Sequence, residues 1–179
     1  QRVDILVDLS GNNGKSKVLT GMDAAFGEAV MHLLPLSGPV SSDVLCKPWN
    51  DSGANPSAAP FSRLRVGHAD DIGQGRLNES TIKRLTGGTK VSYRNLYDRA
   101  MTNMVFNGMI LITANGMVDK PGPGGAERVN SVEFQGYFYK NDEERQKHAE
   151  THGEVQGRAF LADPTLTLGI EIIELQVHR

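Results

Sequence analysis

Apolar positions cluster in three stretches that predict the main elements of the fold. The first, RVDILVDL at 2–9, is rich in Val, Ile and Leu and ends at Ser-Gly-Asn-Asn-Gly, which predicts a buried strand followed by a tight loop. Between 15 and 34, apolar residues recur at roughly helical spacing, so one or two helices follow this loop. The third stretch, MILITAN at 109–115, is the clearest internal strand.

Weaker patterns predict shorter elements between these stretches. Residues 35–62 are dense in Pro, Gly, Ser, Asn and Asp, which indicates a long irregular connection with short strands. Further predicted elements are a weak strand in 62–71, a short helix in 78–85 closed by Gly87-Gly88, a hairpin or extended pair in 88–98, a strand in 129–139 and a charged, solvated helix or loop in 141–155.

Apolar strands that alternate with helical patterns predict an α/β fold with a mainly parallel central sheet flanked by helices. Ligands of such sheets bind at the carboxyl ends of the strands, and the first strand delivers its carboxyl end to the Gly- and Lys-containing loop. With 179 residues, the chain is long enough for one sizeable core and too short for two ordinary domains. Residues 1–179 are therefore interpreted as a single domain.

Composition limits the possible partners and compartments. The net charge is −2, so any contact with nucleic acid must use a local basic patch. The single cysteine, Cys46, excludes an internal disulfide framework and is typical of a reducing compartment. The start does not resemble a signal peptide, and no apolar run is long enough to span a membrane. Because the chain opens in a predicted strand without Met, we expect a fragment of a longer protein.

The segment GNNGKS at 11–16, here called the candidate phosphate loop, has the chemistry needed to bind a nucleotide. Glycines let backbone N–H groups approach an anion, Lys15 can reach terminal phosphates, and Ser16 offers a hydroxyl to Mg²⁺. Leu9 stands where the usual pattern has its first glycine, and the alternative is a Gly/Asn turn with a solvated lysine. The predicted nucleotide-binding residues are Gly11, Asn12, Asn13, Gly14, Lys15, Ser16 and Lys17.

Polar residues at two strand ends extend this candidate site. Asp70 and Asp71 follow the weak strand in 62–71 and can hold Mg²⁺ and polarise an attacking water, or they are ordinary turn acids. Asn115 ends the MILITAN strand and can position that water, or it marks a simple Asn-Gly turn.

Five segments, in order along nearly the whole chain, resemble the superfamily III helicase domain of phage and large DNA-virus primase-helicases: GNNGKS, GRLNESTIKRLTGG, SYRNLY, LITAN and RAFLADPTL. The second is the most specific of them. The resemblance implies a P-loop NTPase core of the AAA+-like type that binds ATP and Mg²⁺, forms a hexamer and moves along single-stranded DNA. It also implies viral or phage DNA replication, an upstream primase domain, and a location in the host cytoplasm or at the viral replication site, without secretion.

The resemblance implies roles for the residues of the candidate site. Lys15 and Ser16 match the lysine and the Mg²⁺-binding hydroxyl of the phosphate loop. Asp70 matches the first acid of the second motif, and Asp71 completes an acidic pair. Asn115 matches the polar residue that ends the sensor strand.

The resemblance also implies contacts beyond the nucleotide of the same chain. Arg128 matches an arginine that reaches a neighbouring subunit's nucleotide, where it would stabilise charge on the transferring phosphoryl group. Lys90, Tyr93 and Arg94 fall in a hairpin inserted before the sensor strand, which faces the central channel of the ring. Two cations and an aromatic ring suit a phosphate backbone and its bases, and the alternative is an ordinary surface hairpin.

Several positions depart from the family pattern and keep other functions open. Thr89 replaces an Asp after Gly-Gly, Glu127 replaces the first of two arginines, and the proline often found after Asn115 is missing. Together with Leu9, these departures permit a catalytically weak or inactive ATPase fold that serves as a DNA-binding or ring-forming scaffold. A different phosphate-loop enzyme, such as a small-molecule kinase, is the other alternative, although no residues for an acceptor pocket or a lid are evident.

Overall fold

A computed structural model describes residues 1–8, 13–26, 36–50, 53–72, 75–116, 118–134, 137–152 and 159–161 of the chain. The strands of this part are β1 (Arg2–Asp8), β2 (Ser37–Pro39), β3 (Val66–Ala69), β4 (Val91–Tyr93), β5 (Thr102–Met104), β6 (Met109–Asn115), β7 (Val129–Glu133), β8 (Tyr137–Tyr139) and β9 (Ala159–Leu161). Its α-helices are α1 (Lys15–Phe26), α2 (Ser42–Cys46), α3 (Glu79–Thr86), α4 (Pro123–Ala126) and α5 (Asp142–His152), with a 3₁₀ helix at Pro56–Ser62.

Five strands form the central sheet in the order β2-β3-β6-β1-β7, and every neighbouring pair runs parallel. The predicted α/β fold with a mainly parallel sheet is therefore confirmed. Strand β6 lies between β1 and β3, which are separated in sequence by α1 and the long irregular connection. As a result, the carboxyl ends of β1, β6 and β3 lie side by side at one edge of the sheet.

Helices cover both faces of this sheet, and the apolar side chains of β6 point alternately to one face and to the other. Ile110 and Ile112 belong to the main apolar core, which also contains the α3 side chains Ile82 and Leu85. Leu111, between the two isoleucines, packs instead in a smaller cluster with residues of α1 and β3. Successive side chains of a strand point to opposite faces, so the unbroken apolar run reflects burial on both sides.

The short helix α3 begins and ends where the sequence predicts. The side chain of Asn78 accepts a hydrogen bond from the backbone N–H of Thr81 at 3.1 Å, which is the usual N-cap arrangement. Gly87 is the C-cap residue, and Gly88 adopts a positive φ of 68° that glycine tolerates without strain.

Other boundaries differ from the prediction because the elements are short or their partners are distant. The connection 35–62 contains α2 and the 3₁₀ helix besides β2, and helices of one or two turns leave too few residues for a periodic signal. The strand predicted over 129–139 is two strands, β7 and β8. The charged segment forms the helix α5. Among the described helices, none is both long and apolar enough to cross a membrane.

A separate antiparallel hairpin of β4 and β5 comes before β6, with Val91 opposite Met104 and Tyr93 opposite Thr102. The sequence placed the pair within 88–98, whereas the second strand lies further along the chain. The loop that joins the two strands therefore covers 94–101. The hairpin also contacts the long connection, because the Nε1 atom of Trp49 donates a hydrogen bond to the carbonyl of Ser92 at 2.9 Å.

Candidate nucleotide site

The carboxyl edge of the sheet brings the candidate site residues of distant segments together. Asp8, the last residue of β1, pairs in register with Asn115, the last residue of β6. Ala69 pairs with Ile112, which puts Asp70 beside Thr113. Strand β1 ends at Asp8 and α1 begins at Lys15, and the contact of Ser16 with Asp70 puts the start of α1 at this same edge of the sheet.

Lys15, the first residue of α1, is turned inward. Only 6% of it is exposed, and its Nζ atom lies 3.1 Å from Oδ1 of Asn13. Gly14, between them, has a φ of 85°, a conformation that favours glycine. For the ammonium group of a lysine, an anionic phosphate oxygen is a stronger, charge-assisted partner than an amide oxygen. Leu9, Gly11 and Asn12 lie outside the described residues.

Asn13 carries a second sign of a ligand site. It is itself buried, and its Nδ2 atom has no hydrogen-bond partner within the described structure. A buried donor without a partner costs about 1–3 kcal/mol, so such groups are usually found where a ligand or a strained element requires them. The amide group next to Lys15 therefore fits an anion at this loop, which would accept from both side chains.

The side-chain oxygens of Ser16 and Asp70 lie close together. The Ser16 hydroxyl lies 3.4 Å from Oδ1 of Asp70, and both residues are exposed. Protein-bound Mg²⁺ usually keeps several waters and uses one or two protein oxygens together with substrate phosphates. In the described segments, no group of three or more His, Cys, Asp and Glu side chains is placed to hold a metal. The Ser16 hydroxyl and the Asp70 carboxylate are compatible with a magnesium ion that takes its other ligands from water and a phosphate. Lys17, one position further, is exposed on the first turn of α1.

Thr113 organises the acidic pair, a role that the sequence analysis missed. Its buried hydroxyl donates a short hydrogen bond to Oδ1 of Asp70 and accepts one from the backbone N–H of Asp71 at 2.8 Å. Asp71 has a positive φ of 45°, which is the geometry of a turn. Thr113 is the one polar residue within the apolar part of β6. This interruption of the apolar run is the sequence signal that could have pointed to its role.

Asn115 stands at the same edge, where its placement is compatible with both predicted alternatives. It is the exposed last residue of β6 and is followed by Gly116, whose φ is 126°. The backbone thus bends at Gly116, directly after the strand. The same position also puts the amide beside the end of β1, where the candidate phosphate loop begins.

The aromatic ring that the hairpin exposes is not the one expected from the sequence. Tyr93 is 93% covered because it lies on the same inner side of β4 as the buried Val91, so its ring is not available to a base. Arg94 is half-buried, with Nη1 3.4 Å from the carbonyl of Asp98, whereas Lys90 is exposed as predicted. Tyr97, at the tip of the loop, is 100% exposed.

Arg128 lies far from the nucleotide site of its own chain. Its carbonyl accepts a hydrogen bond from the N–H of Val3, and its Nη1 atom donates to the hydroxyl of Thr86 at 3.2 Å. Val3 is near the amino end of β1, and the strand then runs about 17 Å to Asp8. Arg128 is thus at the opposite edge of the sheet, and its contact with a neighbouring subunit stays a prediction.

The thiol of Cys46 does not have the character of a nucleophile. Burial raises its pKa, the nearby Asp43 carboxylate raises it further, and Lys47 partly opposes this shift. Since the thiolate is the reactive form, the raised pKa keeps Cys46 in its inert state at neutral pH.

A scan of the chain against models of protein families gives no match, and a search of curated proteins finds no significant match either.

We predict that replacing Thr113 with Val lowers the free energy of unfolding by about 1–2 kcal/mol, because it removes the partner of the Asp71 N–H and of the Asp70 carboxylate. Chemical denaturation of both proteins measures this change. Thr113→Ser keeps the hydroxyl and is the matched control. An unchanged stability of Thr113→Val, or a loss in Thr113→Ser larger than that in Thr113→Val, would show that the methyl group, and not the hydroxyl, stabilises this edge of the sheet.

Proposed function

We propose that this chain is the ATP-hydrolysing motor of a DNA helicase of the superfamily III type, with a P-loop, AAA+-like core. The observation that carries the proposal is the 3.4 Å approach of the Ser16 hydroxyl to the Asp70 carboxylate. These residues lie on different elements, at the start of a helix and at the end of a strand two positions away in the sheet. The alternative, a Gly/Asn turn with a solvated lysine, does not explain why these two side chains lie so close to each other.

ATP would bind with its phosphates over the candidate phosphate loop. Lys15 would exchange the amide oxygen of Asn13 for oxygens of the β- and γ-phosphates, a charge-assisted bond that is stronger than the present one. The freed amide of Asn13 would turn its unpaired Nδ2 donor to the same anion. Both side chains of the loop are thus already held in place before ATP binds, which lowers the entropic cost of ordering them on binding.

Ser16 and Asp70 would hold Mg²⁺, directly or through water. When bound, the ion neutralises charge that develops on the transferring phosphoryl group. Thr113 keeps the Asp70 carboxylate in place by its hydrogen bond. Asn115, at the end of the neighbouring strand, would position the attacking water, and Asp70 or Asp71 would help to polarise it.

The hairpin of β4 and β5 would contact single-stranded DNA. Lys90 and Arg94 flank β4 and would contact the backbone phosphates, and Tyr97 takes the stacking role first expected of Tyr93. A fully exposed tyrosine at a loop tip buries nothing in the free chain, and base stacking would give its ring a partner. In a chain with a net charge of −2, a ring of hairpins would gather small basic patches in one channel.

A hexameric ring would complete each nucleotide site with Arg128 of a neighbour. The position of Arg128 at the amino edge supports this role, because the residue cannot reach the phosphates of its own chain. An arginine that arrives only through assembly makes hydrolysis depend on the oligomer.

We expect the assembled protein to hydrolyse ATP in the presence of Mg²⁺ and to do so faster with single-stranded DNA. Lys15→Ala should lower kcat about a hundredfold or more, because it removes the cation that faces the phosphates. Lys120→Ala, which removes an exposed lysine outside the site, is the control. An assembled wild-type protein that hydrolyses no ATP with DNA present would exclude the motor function.

We expect Tyr97→Ala to weaken binding of single-stranded DNA about fivefold to a hundredfold, the range that follows from the loss of one stacked base. Stability should not change, since the ring is fully exposed. Fluorescence anisotropy with a labelled oligonucleotide measures the affinity. Leu96→Ala, which truncates the 59% exposed neighbour without removing a ring, is the control. An unchanged affinity of Tyr97→Ala would remove the hairpin tip from the DNA site.

We expect Arg128→Ala and Lys15→Ala each to abolish ATP hydrolysis alone and to recover part of it when mixed. In a mixed ring, some sites combine the intact Lys15 of one subunit with the intact Arg128 of the next. The ATPase rate measured across mixing ratios reports these sites. A mixture that assembles but stays inactive at every ratio would contradict a role of Arg128 in trans.

A further inference from the structure

An aromatic ring packs directly on the candidate phosphate loop. The nearest carbon of the Phe138 ring is 3.2 Å from the point where a Cβ atom on Gly14 would lie. Gly14 is therefore restricted twice, by its positive φ and by this ring. Phe138 belongs to β8, which the sequence analysis treated only as part of a strand.

The fold puts this ring on the side of the loop away from the metal-binding oxygens. The N–H of Phe134, just after β7, donates to the carbonyl of Val7 near the end of β1, and β8 begins three residues later. Strand β7 flanks β1 on one side, whereas β6 and β3, with Asp70, lie on the other. Within the described part of the loop, Ser16 thus lies beside Asp70, whereas Gly14 lies beside Phe138, which comes after the strand on the other side of β1.

The neighbours of Phe138 hold the strand in place. Tyr137, Tyr139 and His148 of α5 form an aromatic cluster with ring centroids 4.5–5.7 Å apart, and the Tyr139 hydroxyl lies 3.4 Å from Nδ1 of His148. Because side chains alternate along a strand, Phe138 points away from Tyr137 and Tyr139. The cluster therefore holds β8 against α5, and the ring of Phe138, which is itself partly exposed, lies next to Gly14 of the loop.

We propose that Phe138 is the platform on which the base of the bound nucleoside triphosphate stacks. This inference rests on the proposed function, because it takes the candidate phosphate loop to bind ATP. Its terminal phosphates must face Ser16 and Asp70 if these two residues hold the metal ion. The ribose and base then leave the loop on its other flank, where the ring of Phe138 lies.

The test compares two ligands that share the phosphates and differ in the base. Affinities for ATP and for inorganic triphosphate, both with Mg²⁺, are measured by calorimetry on the wild-type protein and on Phe138→Ala. Phe26→Ala, which truncates a ring that is 45% exposed at the end of α1, is the matched control, and thermal unfolding verifies that the variants fold. We expect Phe138→Ala to weaken ATP binding about tenfold, with unchanged triphosphate binding.

A second variant gives a direct signal at the same position. Phe138→Trp keeps a stacking surface, and the chain has one native tryptophan, the buried Trp49, as background. We expect this variant to retain its affinity for ATP. Its fluorescence should be quenched by ATP and not by triphosphate, because only the base contacts the ring.

The outcomes separate this inference from the function on which it rests. The base platform is wrong if the wild type binds ATP no more tightly than triphosphate, or if Phe138→Ala weakens the binding of both ligands equally. In either case the ring only shapes the loop, and the proposed nucleotide site is not contradicted. If the new tryptophan responds equally to both ligands, the platform is wrong as well. If the wild type binds neither ligand, the proposed function fails, and the base platform fails with it.

Discussion

The parallel pairing of β6 with both β1 and β3 is the constraint on which the site depends. It aligns the carboxyl ends of three strands, so that the start of α1, Asp70 and Asn115 meet although they are far apart in sequence. Thr113 strengthens the same edge from within β6, because its hydroxyl bonds both to Asp70 and to the backbone of Asp71. Any slip in the register of β6 by one residue would turn Thr113 to the opposite face and separate these groups.

The candidate phosphate loop has opposing requirements on its two flanks. Toward the sheet, Lys15 and Asn13 are buried polar groups, and an unpaired amide donor remains beside the lysine. On the outer flank, the positive φ of Gly14 favours glycine, and a Cβ atom there would make a tight 3.2 Å contact with the ring of Phe138. A buried amide donor without a hydrogen-bond partner in the described structure costs stability in the free chain, and such groups are common at ligand sites.

Much of the fold could be predicted because its signals are local. The apolar runs identify β1 and β6, the Asn78 cap and the Gly87-Gly88 pair delimit α3, and the alternation of strands and helices predicts the parallel sheet. The short helices of the long connection could not be predicted in this way, since one turn has no periodicity to detect. The second strand of the hairpin was missed because its partner lies beyond an eight-residue loop at 94–101.

The sequence by itself determined the chemistry of the candidate loop and the identity of its acids, since Lys15, Ser16 and Asp70 are recognisable from residue type and from the strands and helix beside them. Only the tertiary structure decided which side chains share a site. It buried Tyr93 and exposed Tyr97, put Arg128 at the far edge, and brought Phe138 against Gly14. The physical reason is that exposure and proximity follow from pairing between distant strands, which no single stretch of the chain encodes.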